Sequence, residues 1–353
     1  MANKSKKKMK NKLKSLILLL FLTVIMLSTS TYAWFTANRA VSIDPINVNV
    51  AATSGLQIST DAENWKTLIT NTDITGASWT GNINMLPSEL APVSTGGETD
   101  ANGLLKFYSG VVDGNETTGA MELTATKCPD ELKTISADFI AFDIFLKLES
   151  DSTTAVPIYL TNGSGVLPTD GYASKGLEYA SRYAFVIQGN EDSTTDVATI
   201  RALNGAESVI VVEPNYDAHT AYGVQNASVY NITTTQGAHG ISPVSYVGVK
   251  NVISTPIPLV NTNPGGTPSS TYFTSIANLM LTNTYYSEAD NTNRLAYIGN
   301  TAQTGLLPVF SLEPGVTKIR VYMWVEGQDV DCENTASGAH LTYKLGFQMD
   351  NDV

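Results

Sequence analysis

Residues 317–326 read TKIRVYMWVE, and their side chains alternate strictly between two faces. One face is wholly apolar and consists of Ile319, Val321, Met323 and Val325. The opposite face carries Arg320, Tyr322 and Trp324. A period of two sustained over about ten residues is the pattern of a β-strand, because successive side chains of a strand point to opposite sides. This segment therefore predicts a long strand.

Two further segments show the same alternation over a similar length. Residues 341–349 place large apolar side chains at every odd position, and residues 138–148 place them at even positions from Ile140 onward. The other face of the second segment is also apolar at Phe139, Ala141 and Phe145. A strand that is apolar on both faces is covered on both faces, so residues 138–148 predict a central strand.

A tight turn separates residues 306–312 from the strand at 317–326. Its sequence is Glu313-Pro314-Gly315, in which proline presets φ at the first turn position and glycine accepts a positive φ at the second. This turn chemistry predicts a hairpin whose two strands are antiparallel neighbours.

The rest of the chain is typical of an all-β protein. Further strands are predicted at 156–160, 182–188, 208–213 and 246–253, and the best helix candidate is 272–281. Polar stretches near 92–103, 190–196 and 261–271 are interpreted as loops. Many short strands separated by Gly, Pro and Asn predict a jelly-roll-like antiparallel β-sandwich with long loop insertions and one or two short helices.

The first 33 residues have the layout of an export signal. Seven lysines precede residue 15, an apolar run spans 16–27, and small residues lead to Ala33. The apolar run is shorter than the ~20 residues of a stable membrane span, although an uncleaved anchor is the alternative. We therefore expect a signal peptide at 1–33, an N-terminal arm at 34–45 and a sandwich domain at 46–353.

Removal of the signal makes the chain strongly acidic. The seven lysines of the signal leave 14 of the 21 basic side chains against 33 acidic ones, a net charge of −19. Such a surface repels nucleic-acid phosphates and anionic membranes, which excludes nucleic acid as a partner and confines membrane contact to the signal segment. We expect a secreted protein that is extracellular or on the cell surface of a bacterium.

The arm after the predicted cleavage site begins with two aromatic residues, Trp34 and Phe35. Val41 and Ile43 are odd-numbered, whereas the apolar residues from Ile46 onward are even-numbered, and Pro45 separates the two phases. Burial of the aromatic pair removes ~300 Å² of apolar surface, on the order of several kcal/mol. The arm either folds back on its own domain as an edge strand, or adds to an open sheet edge of the next subunit and so propagates a filament.

Three stretches resemble one family. Residues 31–36 (TYAWFT) carry a signal directly into an aromatic start, residues 41–59 form an early β segment, and residues 312–322 read LEPGVTKIRVY. Together they are similar to the TasA/camelysin group of exported bacterial proteins. The resemblance implies a jelly-roll subunit of a biofilm fibre, joined to other copies by N-terminal donor strands, with the cell wall or other matrix proteins as further partners.

The residues also leave a second function open, that of a monomeric cell-surface adhesin or a carbohydrate- or protein-binding module. The sequence shows no signature of an enzyme. His219, His239 and His340 lack the spacing of a zinc protease, and the chain has no nucleophile elbow, phosphate loop or dinucleotide fingerprint. We therefore expect a protein that is not an enzyme and needs no cofactor.

Two smaller features carry alternatives of their own. An acidic cluster follows the strand at 317–326 and consists of Glu326, Asp329, Asp331 and Glu333. It is either a weak calcium site, because calcium takes six to eight oxygen ligands, or a solvated acidic turn. The chain's two cysteines, Cys128 and Cys332, either form a disulfide, as exported proteins permit, or remain separate thiols.

Overall fold

The computed structural model describes most of the chain between residues 41 and 349. The described ranges are 41–44, 46–50, 55–114, 121–128, 138–148, 154–161, 164–212, 260–261, 284–286, 296–298, 301–302, 308–327, 331–332 and 336–349. Several predictions fall outside them: the signal at 1–33, the first part of the arm at 34–40, the strand at 246–253 and the helix at 272–281.

Within these ranges the chain is built almost entirely from strands, which confirms the all-β sandwich. The first strands are β1 (Val41–Ile43), β2 (Asn47–Val50), β3 (Leu56–Ser59), β4 (Leu68–Ile69), β5 (Asn84–Met85), β6 (Glu89–Leu90), β7 (Ser94–Thr99), β8 (Leu105–Gly114), β9 (Met121–Lys127) and β10 (Ile140–Leu148). They are followed by β11 (Val156–Leu160), β12 (Gly165–Pro168), β13 (Ser181–Glu191), β14 (Ser208–Val212), β15 (Val260–Asn261), β16 (Thr284–Tyr286), β17 (Ala296–Ile298), β18 (Thr301–Ala302), β19 (Phe310–Leu312), β20 (Gly315–Val325) and β21 (His340–Met349). The two short helices are α1 (Asn71–Gly76) and α2 (Val197–Ala202).

Two large sheets pack face to face. The first, which we call the N-terminal sheet, has the order β19-β11-β21-β1-β6, with β12 and β2 also on β21 and β4 on β2. The second, the central sheet, has the order β14-β13-β20-β10-β3, with β5 also on β10. Most pairs are antiparallel, as expected, but β1 and β2 run parallel to β21. The main core lies between these sheets and draws on the apolar faces of β10, β20 and β21.

The central sheet is covered on its outer face as well. The beginning of β8 packs there, where Phe107 stacks on Phe139 and meets the edge of the Trp324 ring. β8 belongs to a further sheet with the order β15-β9-β8-β7. All eleven residues of β20 are therefore buried, and β10 is buried almost throughout, which confirms residues 138–148 as a central strand.

Local capping explains why two short helices form in this β protein. At α1 the side chain of Thr70 accepts a bond from the Asp73 backbone N–H, and the Asp73 carboxylate bonds back to Thr70 N. At α2 the carboxylate of Asp196 accepts a bond from Thr199 N at 3.0 Å. Each cap satisfies backbone donors that a helix start leaves unpaired.

The predicted hairpin around Glu313-Pro314-Gly315 is wrong. β19 pairs with β11 in the N-terminal sheet, whereas β20 pairs with β10 and β13 in the central sheet. The turn therefore carries the chain from one sheet to the other. Gly315 has a φ of +116°, and a Cβ there would lie 2.3 Å from the Glu191 carbonyl oxygen. Glycine is needed at position 315 because the backbone of Glu191 passes close to it. The residues of the turn do not specify whether the strands on either side of it pair with each other.

The interpretation of 92–103 as a loop is also wrong in part. Residues Ser94–Thr99 form β7, which pairs with β8, and the Thr95 hydroxyl donates to the Lys106 carbonyl at 2.7 Å. β8 and β9 were not predicted either. β7 consists only of glycine and polar residues, so a hydrophobic period does not reveal it.

Candidate functional site

The start of the described chain runs along one flank of β21, and we call this region the N-terminal seam. It consists of β1, β2 and the residues of β21 that face them. β1 aligns Ser42 with His340, and β2 aligns Asn47 with Lys344, both in parallel. The opposite flank of β21 is taken by β11 and β12. The N-terminal seam therefore lies in the interior of the sheet.

The register of the N-terminal seam shifts by one residue between its two strands. Ile43 pairs with Leu341, and Asn47 pairs with Lys344, so four steps along the N-terminal strands match three steps along β21. Pro45 lies within this interval. Because the side-chain period of a strand is two, one extra residue moves the apolar positions from odd to even numbers. This shift explains the change of phase that the sequence shows.

Backbone hydrogen bonds hold β1 on both sides. Toward β21, Ser42 N donates to Ala339 O and Asp44 N donates to Leu341 O, each at 3.0 Å. Toward β6, Ile43 N donates to Ser88 O at 2.8 Å. All three hydrogen bonds join main-chain atoms, so any strand of suitable shape could make them.

The structure separates the four predicted arm residues into two pairs. Val41 is fully buried and Ile43 half-buried, both in the chain's own sheet. The predicted arm at 34–45 is therefore not separate from the sandwich at these two residues. Of the two alternatives, they follow the one in which the arm folds back, although as an interior strand rather than an edge strand. Trp34 and Phe35 lie outside the described residues.

A buried cluster of charged side chains lies on the outer face of the central sheet. Asp143 on β10 is the cross-strand partner of Arg320 on β20. Arg320 Nε donates to Asp143 Oδ1 at 2.7 Å and Arg320 Nη2 donates to Oδ2 at 3.2 Å. Lys318 Nζ lies 3.8 Å from Oδ2, and Ile83 N donates to the same oxygen. Both carboxylate oxygens are thus occupied, which suits a structural ion pair.

Lys318 connects this charged cluster to α2. Its ammonium donates to Arg201 O at 2.9 Å and Leu203 O at 2.6 Å, at the end of the helix, and lies 4.7 Å from the centre of the Trp79 ring. Burial lowers the pKa of Lys318 to about 8, although the Asp143 carboxylate acts in the opposite direction. The buried ammonium therefore fixes α2 over the sheet by satisfying carbonyls that a helix end leaves unpaired.

The sequence interpretation did not single out this cluster, although the signal was visible. Lys318 and Arg320 share the outer face of β20 with Tyr322 and Trp324, and Asp143 lies in the middle of a largely apolar strand. Charges inside a strand that is buried on both faces must be paired. That rule, applied to residues 138–148, would have pointed to Asp143.

The described part of the acidic cluster is not a solvated turn. Glu326 is 3% exposed and Asp331 is 1% exposed. Trp324 Nε1 donates to Glu326 Oε2 at 3.1 Å. Asp329 and Glu333 lie outside the described residues, and within those residues no three potential metal ligands converge. The calcium site stays a prediction, and the solvated-turn alternative is wrong for Glu326 and Asp331.

The two cysteines are separate thiols in the structure. Cys128 packs in the cluster on the outer face of the central sheet, and Cys332 packs in the main core. The central sheet lies between these clusters, so of the two alternatives the structure has separate thiols rather than a disulfide.

Of the three histidines, only His340 lies within the described residues. It begins β21, and its ring stacks on Tyr172 with the ring centres 3.7 Å apart. His219 and His239 lie outside those ranges.

A polar cleft of about 350 Å³ opens beside α1. Lys66 Nζ contacts Asp73 Oδ1 there at 2.5 Å. Burial raises the pKa of Asp61 in this cleft, but hydrogen bonds from Asn64, Glu63 and Ser59 outweigh it and lower the pKa to about 2. These polar groups already bond to one another, and we assign the cleft no ligand.

Two further findings complete the description of the chain. Among the described residues no helix has the length and apolar character that a membrane crossing requires. Comparison with protein-family models, with curated proteins and with solved structures finds no match. The function must therefore be argued from the residues themselves.

Proposed function

We propose that this chain is a structural subunit of an extracellular bacterial fibre or matrix, and that copies assemble through their N-terminal segments. The observation that carries the proposal is the position of β1. This strand of three residues, which is part of the arm, lies inside a sheet between β21 and β6. A strand in that position completes a ladder on both sides, which is the contact that donor-strand assembly uses.

The chemistry of the N-terminal segment supports the same proposal. Trp34 and Phe35 precede β1 by only a few residues, and two aromatic side chains at a free end gain on the order of several kcal/mol from burial. The segment therefore has an apolar tip and a strand that matches a sheet interior. The predicted export signal and the net charge of −19 after its removal support an extracellular location.

The test compares three lengths of the chain by negative-stain electron microscopy and sedimentation. The chain that starts at Trp34 is expected to form filaments. The chain that starts at Val41 retains β1 but lacks Trp34 and Phe35, whose burial supplies the free energy that favours assembly over the closed monomer, so it is expected to stay monomeric with an unchanged melting temperature. The chain that starts at Asp44 lacks β1 as well, and it is expected to be monomeric and less stable because Val41 is fully buried.

The Val41 start is the matched control, because it separates loss of assembly from loss of folding. Monomers from the Trp34 start under all conditions would overturn the proposal. Folded monomers of that kind would favour the surface binding module, which a glycan-binding screen on the Val41 start would then examine.

A further inference from the structure

We infer that the outer face of the N-terminal sheet, which is turned away from the central sheet, binds a polysaccharide without anionic groups, at a site built around Tyr172. The proposed function assigns no role to the side chains of this face. The inference goes beyond that function, because a fibre subunit and a monomeric surface protein could each carry such a site. Its test therefore measures sugar binding, which does not depend on whether copies assemble.

The outer face of the N-terminal sheet presents polar side chains to solvent. On β21 the odd-numbered residues pack in the main core, which places His340, Thr342 and Lys344 on the outer face. Lys344 is exposed, and the other two are half-buried. On β2 the same alternation places Asn47 and Asn49 outward, and both are exposed. This face therefore offers accessible groups that can bond to hydroxyls, whereas β8 covers the outer face of the central sheet.

Tyr172 adds an exposed aromatic ring to this face. It is 52% exposed, more than any other large aromatic or aliphatic side chain among the described residues. Its ring lies nearly parallel to that of His340, with 18° between the two planes. One face of the tyrosine ring is therefore covered by the imidazole, and the opposite face is accessible.

Backbone hydrogen bonds hold this ring in place before any ligand arrives. Thr169 N donates to His340 O and Tyr172 N donates to Thr169 O, each at 2.9 Å. The turn that carries Tyr172 is thus tied to the first residue of β21. A ring that is already fixed loses little conformational entropy on binding, and tyrosine has only two rotatable side-chain bonds.

Oriented hydrogen-bonding groups lie in the next row of the sheet. Thr342 Oγ1 donates to Asp44 Oδ2 at 3.2 Å, and the hydroxyls of Thr342 and Thr169 are 3.2 Å apart. A hydroxyl has one proton, so Thr169 donates to Thr342. The Asp44 carboxylate is thus held in position, and a carboxylate is a strong acceptor for hydroxyl groups.

The site is longer than a single sugar. Ser42 lies between Glu89 of β6 and His340 of β21 in the two ladders. Because neighbouring strands are about 4.8 Å apart, this row of side chains extends over about 10 Å, and Tyr172 contacts His340 at one end of it. A ligand that contacts the whole row therefore contains several sugar units.

A polysaccharide matches this combination of groups. A pyranose ring has a face of apolar C–H groups, which packs on an aromatic ring, and a rim of hydroxyls that bond to carboxylates and amides. The net charge of −19 after removal of the signal opposes anionic polymers. The chemistry of the face and the charge of the chain together favour a neutral or cationic glycan.

Isothermal titration calorimetry on the chain that starts at Trp34 tests the site. The ligands are cellohexaose, laminarihexaose, maltohexaose and the glucosamine hexasaccharide, with the galacturonic acid hexasaccharide as the anionic comparison. The wild type is expected to bind at least one of the first four and not the anionic one. Tyr172→Ala is expected to weaken this binding by at least about tenfold, because it removes the exposed ring. Tyr172→Phe keeps the ring and is expected to retain most of the affinity.

Leu68→Ala is the matched control. Leu68 is 48% exposed on the same sheet, and its partner Asn49 is paired with Gly346 of β21. The length of β21 from Gly346 to His340, roughly 20 Å, separates the control from the aromatic stack. Leu68→Ala is expected to bind like the wild type, and thermal unfolding is expected to show an intact fold in every variant.

Two results would overturn the inference as a whole: no binding of any of the four hexasaccharides by the wild type, or binding of the anionic hexasaccharide alone. Equal affinities of Tyr172→Ala and the wild type would overturn the location of the site, and so would an equal loss of affinity in Leu68→Ala. If the wild type binds no sugar and Tyr172→Ala changes how filaments associate with one another, the face contacts a second copy and the inference is wrong. None of these results decides whether filaments form, so the proposed function is tested separately.

Discussion

Replacement of Asp143 by asparagine tests the buried charged cluster most directly. Asparagine keeps the size of the side chain and an oxygen for Ile83 N, but it removes the negative charge. Arg320 and Lys318, both nearly inaccessible to solvent, then lose the carboxylate that both of them face. Asp143→Asn is therefore expected to lower the unfolding free energy far more than the same substitution does at an exposed aspartate.

The magnitude follows from the contacts. Removal of one partner from a buried ion pair costs about 3–5 kcal/mol, against a total unfolding free energy of about 5–15 kcal/mol for a typical domain. Lys318 moderates the loss. Asp143 raises the pKa of Lys318, so the substitution lowers this pKa further below about 8 and allows the ammonium to lose its proton near neutral pH. We therefore expect the lower end of that range, about 3 kcal/mol.

The assay is urea unfolding at pH 7, with the midpoint and slope recorded for each variant. Asp192→Asn, an exposed carboxylate bonded only within its own turn, is the matched control and is expected to leave the midpoint unchanged. The double variant Asp143→Leu/Arg320→Met is expected to recover most of the loss, because an apolar pair leaves no unpaired charge except Lys318. A midpoint for Asp143→Asn equal to that of the wild type would refute the reasoning.

The other predictions concern backbone, pH and thiols. Gly315→Ala is expected to lower the unfolding free energy by at least about 1–3 kcal/mol, because φ is +116° there and the new Cβ would meet the Glu191 carbonyl oxygen. Gly81→Ala also has a positive φ, but it has open space around the new Cβ and is expected to lose less stability. Equal losses in the two variants would contradict the close approach at Gly315. Burial lowers the pKa of Lys318 to about 8 in the folded protein, against 10.5 for an ordinary lysine, so between these pH values the unfolded chain holds a proton that the folded chain has lost. The unfolding free energy therefore rises by up to about 3 kcal/mol from pH 8 to 10.5 relative to Lys318→Met, and a difference between the two proteins that is constant over this window would contradict it. Both cysteines are expected to react with a thiol reagent only when urea unfolds the protein, and fast labelling of the native state would contradict their burial.

Strand identity could be predicted from the sequence wherever burial imposes a simple period. Residues 156–160 were predicted with the bounds that β11 has, and the strands at 317–326 and 341–349 match β20 and β21 to within two residues at either end. β8 mixes polar and apolar residues without a clear period. β9 alternates Met121, Leu123 and Ala125 with polar residues, so its period of two was visible in the sequence and was missed. Helices of six residues fall below the length at which a helical period can be recognised.

The candidate site was predictable in part. Pro45 and the change of phase around it marked the break between β1 and β2 before any pairing was known. The sequence did not predict that Val41 lies inside the chain's own sheet. An arm strand and an interior strand have the same local pattern, and they differ only in which strands lie on either side.

The sequence by itself therefore determined which residues form long strands and where the N-terminal ladder breaks, because period, proline and side-chain alternation act over a few neighbouring residues. Only the tertiary structure decided the neighbours of each strand. Ile43 pairs with Leu341 and Asp143 with Arg320, and both pairs join residues that are distant along the chain. β19 and β20 are separated by a short turn but belong to different sheets, and the turn alone does not determine this. Such contacts are selected by the packing of the whole core, since each sheet must bury a face that no local segment can bury alone.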